Sequence, residues 1–320
     1  MENPQNISVI EPITPAWNHM VRILFKPFAF KKWLALGFCA FLAQCGEQGG
    51  NGFSGFQNQS GSNRVDDAKI WIENNVGLFV TILAGGILLF LLISLLIAWI
   101  SSRGKFMLID GIVKNRGAIK EPWAEYKAEG NSLFLFSLVL GFALLFVLAI
   151  IGGLATLIAL PDIQNDTFGS GAIAAIVVGG GLLLVYLLGC ILLSFFVKVL
   201  LVPTMYLKRV GAIEGWKIAW NQLLKGHAWQ SILLLLMMFL LAIGAGTVAM
   251  FAVCLTCCIA ALPYVSSVVL LPITVFFVCY ALCYIQQFGT EWTFFKNMCR
   301  FCNYDLEGLE EGSACPECGK

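Results

Sequence analysis

The sequence predicts an all-α polytopic membrane protein. It has six transmembrane helices, arranged as three repeats of an interfacial helix plus a hairpin, and a small C-terminal zinc ribbon. Three observations predict this. Of the 320 residues, 59% are hydrophobic and only 12% are charged, against about a quarter charged in soluble domains. Apolar runs long enough to cross a bilayer recur along the chain. Four cysteines at its end fall into two closely spaced pairs.

A helix needs about 20 apolar residues to cross the hydrocarbon core. Val76 to Ile100, Ser132 to Leu160 and Gly171 to Val197 are each free of charge. Ala228 to Thr290 is a fourth charge-free run, too long for one helix, and Pro263-Tyr264-Val265-Ser266-Ser267 divides it. Strands do not explain such runs, because barrel strands alternate in polarity and are about ten residues long. The spans are therefore placed at about 28–46, 76–100, 132–160, 171–197, 229–261 and 265–288. The first is the shortest in apolar length. It crosses only if Lys31 and Lys32 snorkel toward the interface, and otherwise re-enters.

Residues 1–12 form a polar tail without the basic and apolar regions of a secretory signal, so the spans themselves direct insertion. The membrane domain covers 13–290. A Gly-, Asn- and Gln-rich segment, 46–75, reads as an extracytoplasmic linker. Lysine and arginine collect on the cytoplasmic side of membranes. Eighteen of the 20 basic residues lie before span one, between spans two and three, between four and five, or after six; Arg64 and Lys69 are the exceptions. This predicts a multi-pass membrane protein with both termini in the cytosol.

The cytosolic stretches look alike. Gly117-Ala118-Ile119 with Trp123 precedes span three, and Gly211-Ala212-Ile213 with Trp216 and Trp220 precedes span five. Ala16-Trp17-Asn18 echoes Ala219-Trp220-Asn221. Near the N-terminus Thr14 can cap a helix whose first turn holds Pro15, with Trp17, Met20, Val21 and Leu24 as its stripe. Tryptophan on one face and lysine on the other suits a helix lying in the membrane interface. Trp17, Trp123, Trp216 and Trp220 are the expected interfacial anchors, and lipid is the expected environment.

Val202-Pro203-Thr204-Met205, Ala212-Ile213-Glu214-Gly215-Trp216 and Leu224-Lys225-Gly226 resemble bacterial proteins related to the membrane domain attached to glycerophosphodiester phosphodiesterases. So does Ile23-Leu24-Phe25-Lys26-Pro27-Phe28, followed by Lys32-Trp33 and Leu36-Gly37-Phe38. The resemblance covers about residues 10 to 290 and implies six helices and a membrane-embedding role in the bacterial inner membrane. It does not imply the phosphodiesterase chemistry, whose barrel needs about 250 residues.

Cys299, Cys302, Cys315 and Cys318 form two C-x2-C knuckles separated by twelve residues. Thiolates two residues apart on a turn can face one metal, and two knuckles close a tetrahedron. One structural zinc is expected, with iron as the runner-up. Residues 299–320 resemble the zinc-ribbon tails of bacterial membrane proteins, although Asn303 stands where that pattern has glycine. Their net charge of −3 would be repelled by nucleic acid, so a cytosolic protein partner is expected. The other eight cysteines read as small buried side chains, although Cys45 near the outer face is a disulfide candidate.

With no charge at the centre of any span, an ion-coupled transporter is disfavoured. No serine–histidine or paired-carboxylate arrangement supports an enzyme. His19 and His227 read as headgroup contacts. The leading functional expectation is a non-catalytic integral inner-membrane protein with a cytosolic zinc-ribbon interaction tail. The alternative is a lipid-handling or transport protein with a substrate cleft between the repeats. A lipid-sized cavity would favour the alternative; a tightly packed bundle would favour the first. Residue patterns leave the oligomeric state open.

Overall fold

Long uninterrupted apolar runs satisfy their backbone polar groups only as helices when no water is present. The structure, a computed structural model describing residues 7–45, 75–164, 169–255 and 263–295 with Pro316 and Gly319, is helical throughout, with no strand among the described residues. In chain order the elements are α1 (Ile13–Phe25), α2 (Phe30–Cys45), α3 (Val76–Val113), α4 (Lys120–Glu125), α5 (Lys127–Gln164) and α6 (Ser170–Phe195). A π-helical turn (Phe196–Leu201) leads into α7 (Val202–Lys208). Then come α8 (Ala212–Ile218), a second π-helical turn (Ala219–Leu224), α9 (Ala228–Leu255), α10 (Pro263–Val269) and α11 (Leu271–Gln286).

Four helical stretches are long and apolar enough to cross a membrane: Val76–Val113, Lys127–Asp162, Ser170–Lys208 and Ala228–Cys254. The chain is a membrane protein in this sense. The first is 38 residues long, about 57 Å at 1.5 Å per residue, well beyond a hydrocarbon core of about 30 Å. Its two ends therefore meet different solvents. Most residues from Val76 to Leu96 are exposed, whereas Ser101 to Gly104 and Phe106 to Ile112 are buried. The 39-residue stretch Ser170–Lys208 divides the same way, with its core contacts starting at Phe196.

The buried ends assemble into a collar. Its core joins Met20 and Leu24 of α1, Leu36 of α2, Phe106 and Met107 of α3, Leu200 and Met205 around α7, and Tyr280 and Tyr284 of α11. α1 is fastened to α11 by reciprocal hydrogen bonds: the Ser8 N–H donates to Gln287 Oε1 (2.8 Å) and Gln287 Nε2 donates to the Ser8 carbonyl (2.8 Å). The Tyr280 hydroxyl donates to the Val9 carbonyl at 2.7 Å. α2 lies against α3, and a Cβ at Gly104 would stand 2.7 Å from the Ala43 backbone nitrogen. Only glycine permits that approach.

α5 and α6 form a hairpin. Asp162 Oδ2 accepts the N–H groups of Gly169 and Ala172 (2.9 and 2.7 Å), capping the start of α6. The π-helical turn after α6 stands just ahead of Pro203, which lacks an N–H and crowds the carbonyl one turn back. The Thr204 hydroxyl donates to the Leu200 carbonyl at 2.7 Å. The second π-helical turn closes with Lys225 N–H donating to the Trp220 carbonyl (2.8 Å), and Gly226, at φ +89°, turns the chain into α9.

Details differ from the sequence expectations. The region expected to be one span over 265–288 is two helices, because Pro272 in the first turn of α11 cannot continue the ladder from α10. α1 begins at Ile13, so Thr14 lies inside the first turn rather than capping it. Each of α2 and α11 has 16 residues, shorter than the four long stretches. Residues 46–74 of the linker and nearly all of the cysteine tail lie outside the described residues.

Candidate functional site

The expected anchors divide into two kinds. Trp17 is 56% exposed and meets Phe276 edge-on; Trp220 is 49% exposed. Trp123 and Trp216 are instead half-buried in the collar. Trp123 meets Trp99 edge-on (5.8 Å), and Trp216 packs on Phe196 (4.3 Å) and Phe136 (5.6 Å). Along α8 and its π-helical turn the inward face is Ala212, Gly215, Ala219 and Leu223. Ile213 and Trp220 therefore point away from the protein, on a flank distinct from Glu214.

In α1 the packed face is Ala16, His19, Met20, Ile23 and Leu24. His19 is thus a collar residue, 2% exposed and stacked on Phe295 at 4.0 Å. Burial first, and then the Arg22 charge, hold its imidazole down at about 4, so it is neutral at physiological pH. Its Nε2 has no hydrogen-bond partner.

The collar also holds ionisable groups that sequence reading assigned to a cytosolic loop. Asp110, on α3, has no exposed surface. Its carboxylate pairs with Lys114 Nζ and Arg116 Nη2, both at 2.8 Å. Its Oδ1 also accepts the hydroxyls of Tyr126 (3.2 Å) and Tyr206 (3.3 Å), whose rings stack at 5.0 Å. A buried charge is tolerated only when paired and hydrogen-bonded, and four residues donate to Asp110, Arg116 through both Nε and Nη2. Arg209 lies over the Tyr126 ring at 3.8 Å, donates to Glu125 and pairs with Glu129 at 3.4 Å. Burial raises the Glu125 carboxyl, but hydrogen bonds from Lys114 and Arg209 outweigh it and leave the group below the usual carboxylate range.

A second cation is held nearby. Arg103 is 6% exposed, lies between Trp99 (4.3 Å) and Trp123 (4.9 Å), and donates to Asn131 Oδ1 at 2.9 Å. Neither the Asp110 cluster nor Arg103 was legible as buried. The available signal was the apolar periodicity that continues past Ile100 through Phe106, Ile109 and Ile112.

Beside the Asp110 cluster is a cavity of about 710 Å³. α1 contributes His19, Arg22 and Ile23; α3 and its following turn contribute Ile112, Lys114 and Asn115; α4 contributes Glu125. Val113, Tyr126, Tyr206, Leu207, Arg209 and Thr293 to Phe295 complete it. Asn115 (φ 51°) and Arg209 (φ 55°) are the two non-glycine residues with left-handed backbone among the described residues, and both line this cavity. Such a conformation costs roughly 1–2 kcal/mol per residue and clusters at binding sites. A smaller cavity of about 280 Å³ lies between α2, α9 and α10–α11, lined by Gln44, Ala245, Gly246, Ser267 and Thr274.

Cys299 and Cys302, with Cys315 and Cys318, lie outside the described residues. Among the described residues no three His, Cys, Asp or Glu side chains are grouped to hold a metal. Of the cysteines expected to be buried, Cys39, Cys279 and Cys283 are, whereas Cys45 and Cys190 are half-buried and Cys254 is exposed; Cys45, the disulfide candidate, is a free thiol. Residues 7–290 match a protein family described only as a family of unknown function (DUF7544). No curated protein and no solved structure matches the chain.

Proposed function

We propose that this chain, which belongs to the DUF7544 family, is a non-catalytic inner-membrane protein that handles amphiphiles through the cavity of its collar. The observation that carries this reading is the cavity itself. It has the volume of a small-molecule site, joins apolar side chains such as Ile112 and Phe294 to charged ones, and lies at the collar ends of two of the long stretches, Val76–Val113 and Ser170–Lys208. The four long stretches leave most of their apolar surface uncovered rather than sealing a tight bundle, which favours a lipid-handling role over a purely structural one. The resemblance to phosphodiesterase-linked membrane domains agrees with a lipid-facing role.

In this reading α2 and α10–α11 complete six spans, and the basic collar faces the cytosol with both termini. Tags after Asn63 and Gln164 should be accessible from outside, and tags after Lys120 and Lys320 from inside. The tail holds one zinc through Cys299, Cys302, Cys315 and Cys318 and engages a cytosolic protein. Its support is the knuckle spacing, since four thiolates close a tetrahedron. Metal analysis that found all four thiols alkylated and no zinc or iron would remove the ribbon.

The cavity reading is tested by native mass spectrometry of the full-length protein released from membranes. Bound lipid-sized mass is expected on the natural chain and not on Val113→Trp, whose indole would fill the cavity. If the natural chain carries none, and added lipids give no saturable binding, the amphiphile reading is wrong.

A further inference from the structure

The charges on the cavity wall bear on what kind of head group enters. Arg22, Lys114 and Arg209 line it against one carboxylate, Glu125. The other acids of the cluster are shut behind the wall: the Asp110 side chain is 0% exposed and that of Glu129 is 10% exposed, while Lys114 and Arg209 keep 38% and 40%. The Glu125 side chain keeps 35%, so an incoming group meets three cations and one carboxylate. Glu125 is held by Lys114 at 3.1 Å and by Arg209, so its charge is already answered.

His19 is the independent sign of a missing partner. A buried polar atom normally has a hydrogen bond, and each exception needs an explanation. His19 Nε2 is buried and unpartnered in the wall of this cavity, one helical turn from Arg22. Stacking on Phe295 fixes the plane of the ring. A neutral imidazole can donate one hydrogen bond, and an oxygen in the cavity would accept it.

We propose that the cavity takes a phosphate-type anion, with Arg22, Lys114 and Arg209 supplying charge and His19 donating a hydrogen bond to a phosphoryl oxygen. This rests on the amphiphile reading. Charge-assisted hydrogen bonds from guanidinium groups are the strong ones, and arginine matches phosphate geometry in a bidentate way. The apolar wall, Ile23, Ile112, Leu207 and Phe294, suits the glycerol and first methylenes of a lipid. The same chemistry would accept a free phosphate.

The test is a thermal-shift titration of the full-length protein in neutral detergent. Three probes are compared: dihexanoyl phosphatidate, dihexanoyl phosphatidylcholine and inorganic phosphate. Phosphatidate should bind about ten-fold or more tightly than phosphatidylcholine. Arg22→Gln should weaken phosphatidate about ten-fold or more, the loss of one charge-assisted contact. His19→Phe keeps the stacked ring and should weaken it several-fold, while Arg22→Lys keeps the charge but loses the bidentate fork, so it should lose less affinity than Arg22→Gln and shows that the site still folds. If phosphatidate alone saturates, the source of the anion is a lipid headgroup. If inorganic phosphate saturates and displaces phosphatidate, the source is a soluble phosphate. Equal binding of the two lipids, unchanged in Arg22→Gln, would overturn the anion assignment and leave the amphiphile reading standing. Binding of no probe would overturn both.

Discussion

The two halves of α3 share one helix and obey different rules. From Val76 to Leu96 apolar side chains point outward and Gly85 and Gly86 have nothing within 4 Å of where a Cβ would stand. From Ser101 to Ile112 the helix is packed on nearly every side, and its polar residues are partnered: the Ser101 hydroxyl donates to the Ala43 carbonyl (2.9 Å), Arg103 sits between two indoles, and four residues donate to Asp110. In lipid an apolar residue can be exchanged for another with little loss, because hydrocarbon replaces hydrocarbon. In the collar most polar groups depend on named partners, His19 Nε2 being an exception.

The comparison predicts where substitutions will hurt. The largest effect is expected at Asp110. Asp110→Ala leaves Lys114, Arg116 and two tyrosine hydroxyls without their shared acceptor, and breaking a buried pair costs about 3–5 kcal/mol. The thermal midpoint in detergent should collapse; a small change would mean that the collar does not behave as a buried core.

Next comes acid. His19 is neutral in the folded chain down to about 4, whereas an unfolded histidine takes up a proton near 6.5. Its contribution to stability is intact above pH 6.5 and is lost as pH falls from 6.5 to 4, by up to about 3 kcal/mol. In His19→Phe the melting temperature should fall less across this window. Equal slopes would place the sensitivity elsewhere, Glu125 included, although a carboxyl held low gives way mostly below about 4.5.

Glycines give a smaller and sharper contrast. Gly104→Ala drives a methyl into the Ala43 backbone and should cost about 1–3 kcal/mol, while Gly86→Ala on the same helix meets open space and should not destabilise, gaining up to about 1 kcal/mol from helix propensity. Similar losses at both sites would erase the distinction between the halves. The smallest effect is expected for Lys208→Ala. Its ion pair with Glu291 spans 3.0 Å, but the Glu291 side chain is 72% exposed. Such pairs contribute at most about 1 kcal/mol, and the midpoint should barely move.

The lipid-facing halves were legible in the residues. Charge-free runs located α3, α5 and α6 within a few positions at their outer ends and α9 at its start, because hydrophobicity alone decides residence in hydrocarbon. The inner end of α3 was not. Arg103 and Asp110 mark the end of an apolar run, and counting charges cannot tell a solvated loop from a buried network whose partners are Tyr206 and Arg209, about a hundred residues away. His19 shows the same limit. The tryptophan stripe suggested which side of α1 faces lipid, but the packed side is decided by α11, a helix more than 250 residues further along. Of the two backbone outliers at the cavity, Asn115 is of a residue type that favours the left-handed region, whereas Arg209 was hidden, since arginine carries no such preference. The break at Pro272 was legible in principle and was masked by the apolar run around it.

The clasp between the two ends of the described chain bears on how the molecule is made. Ser8 and Val9 hydrogen-bond to Gln287 and Tyr280 across 279 and 271 positions. At roughly 5–20 residues per second, the ribosome needs about 15–55 s between the two. Throughout that interval α1 exists without its dock, presenting Met20, Ile23 and Leu24 on one face. The surface of the bilayer is the apolar phase at hand, so α1 is expected to wait there as a membrane-bound amphipath, and the collar closes only after α11 emerges.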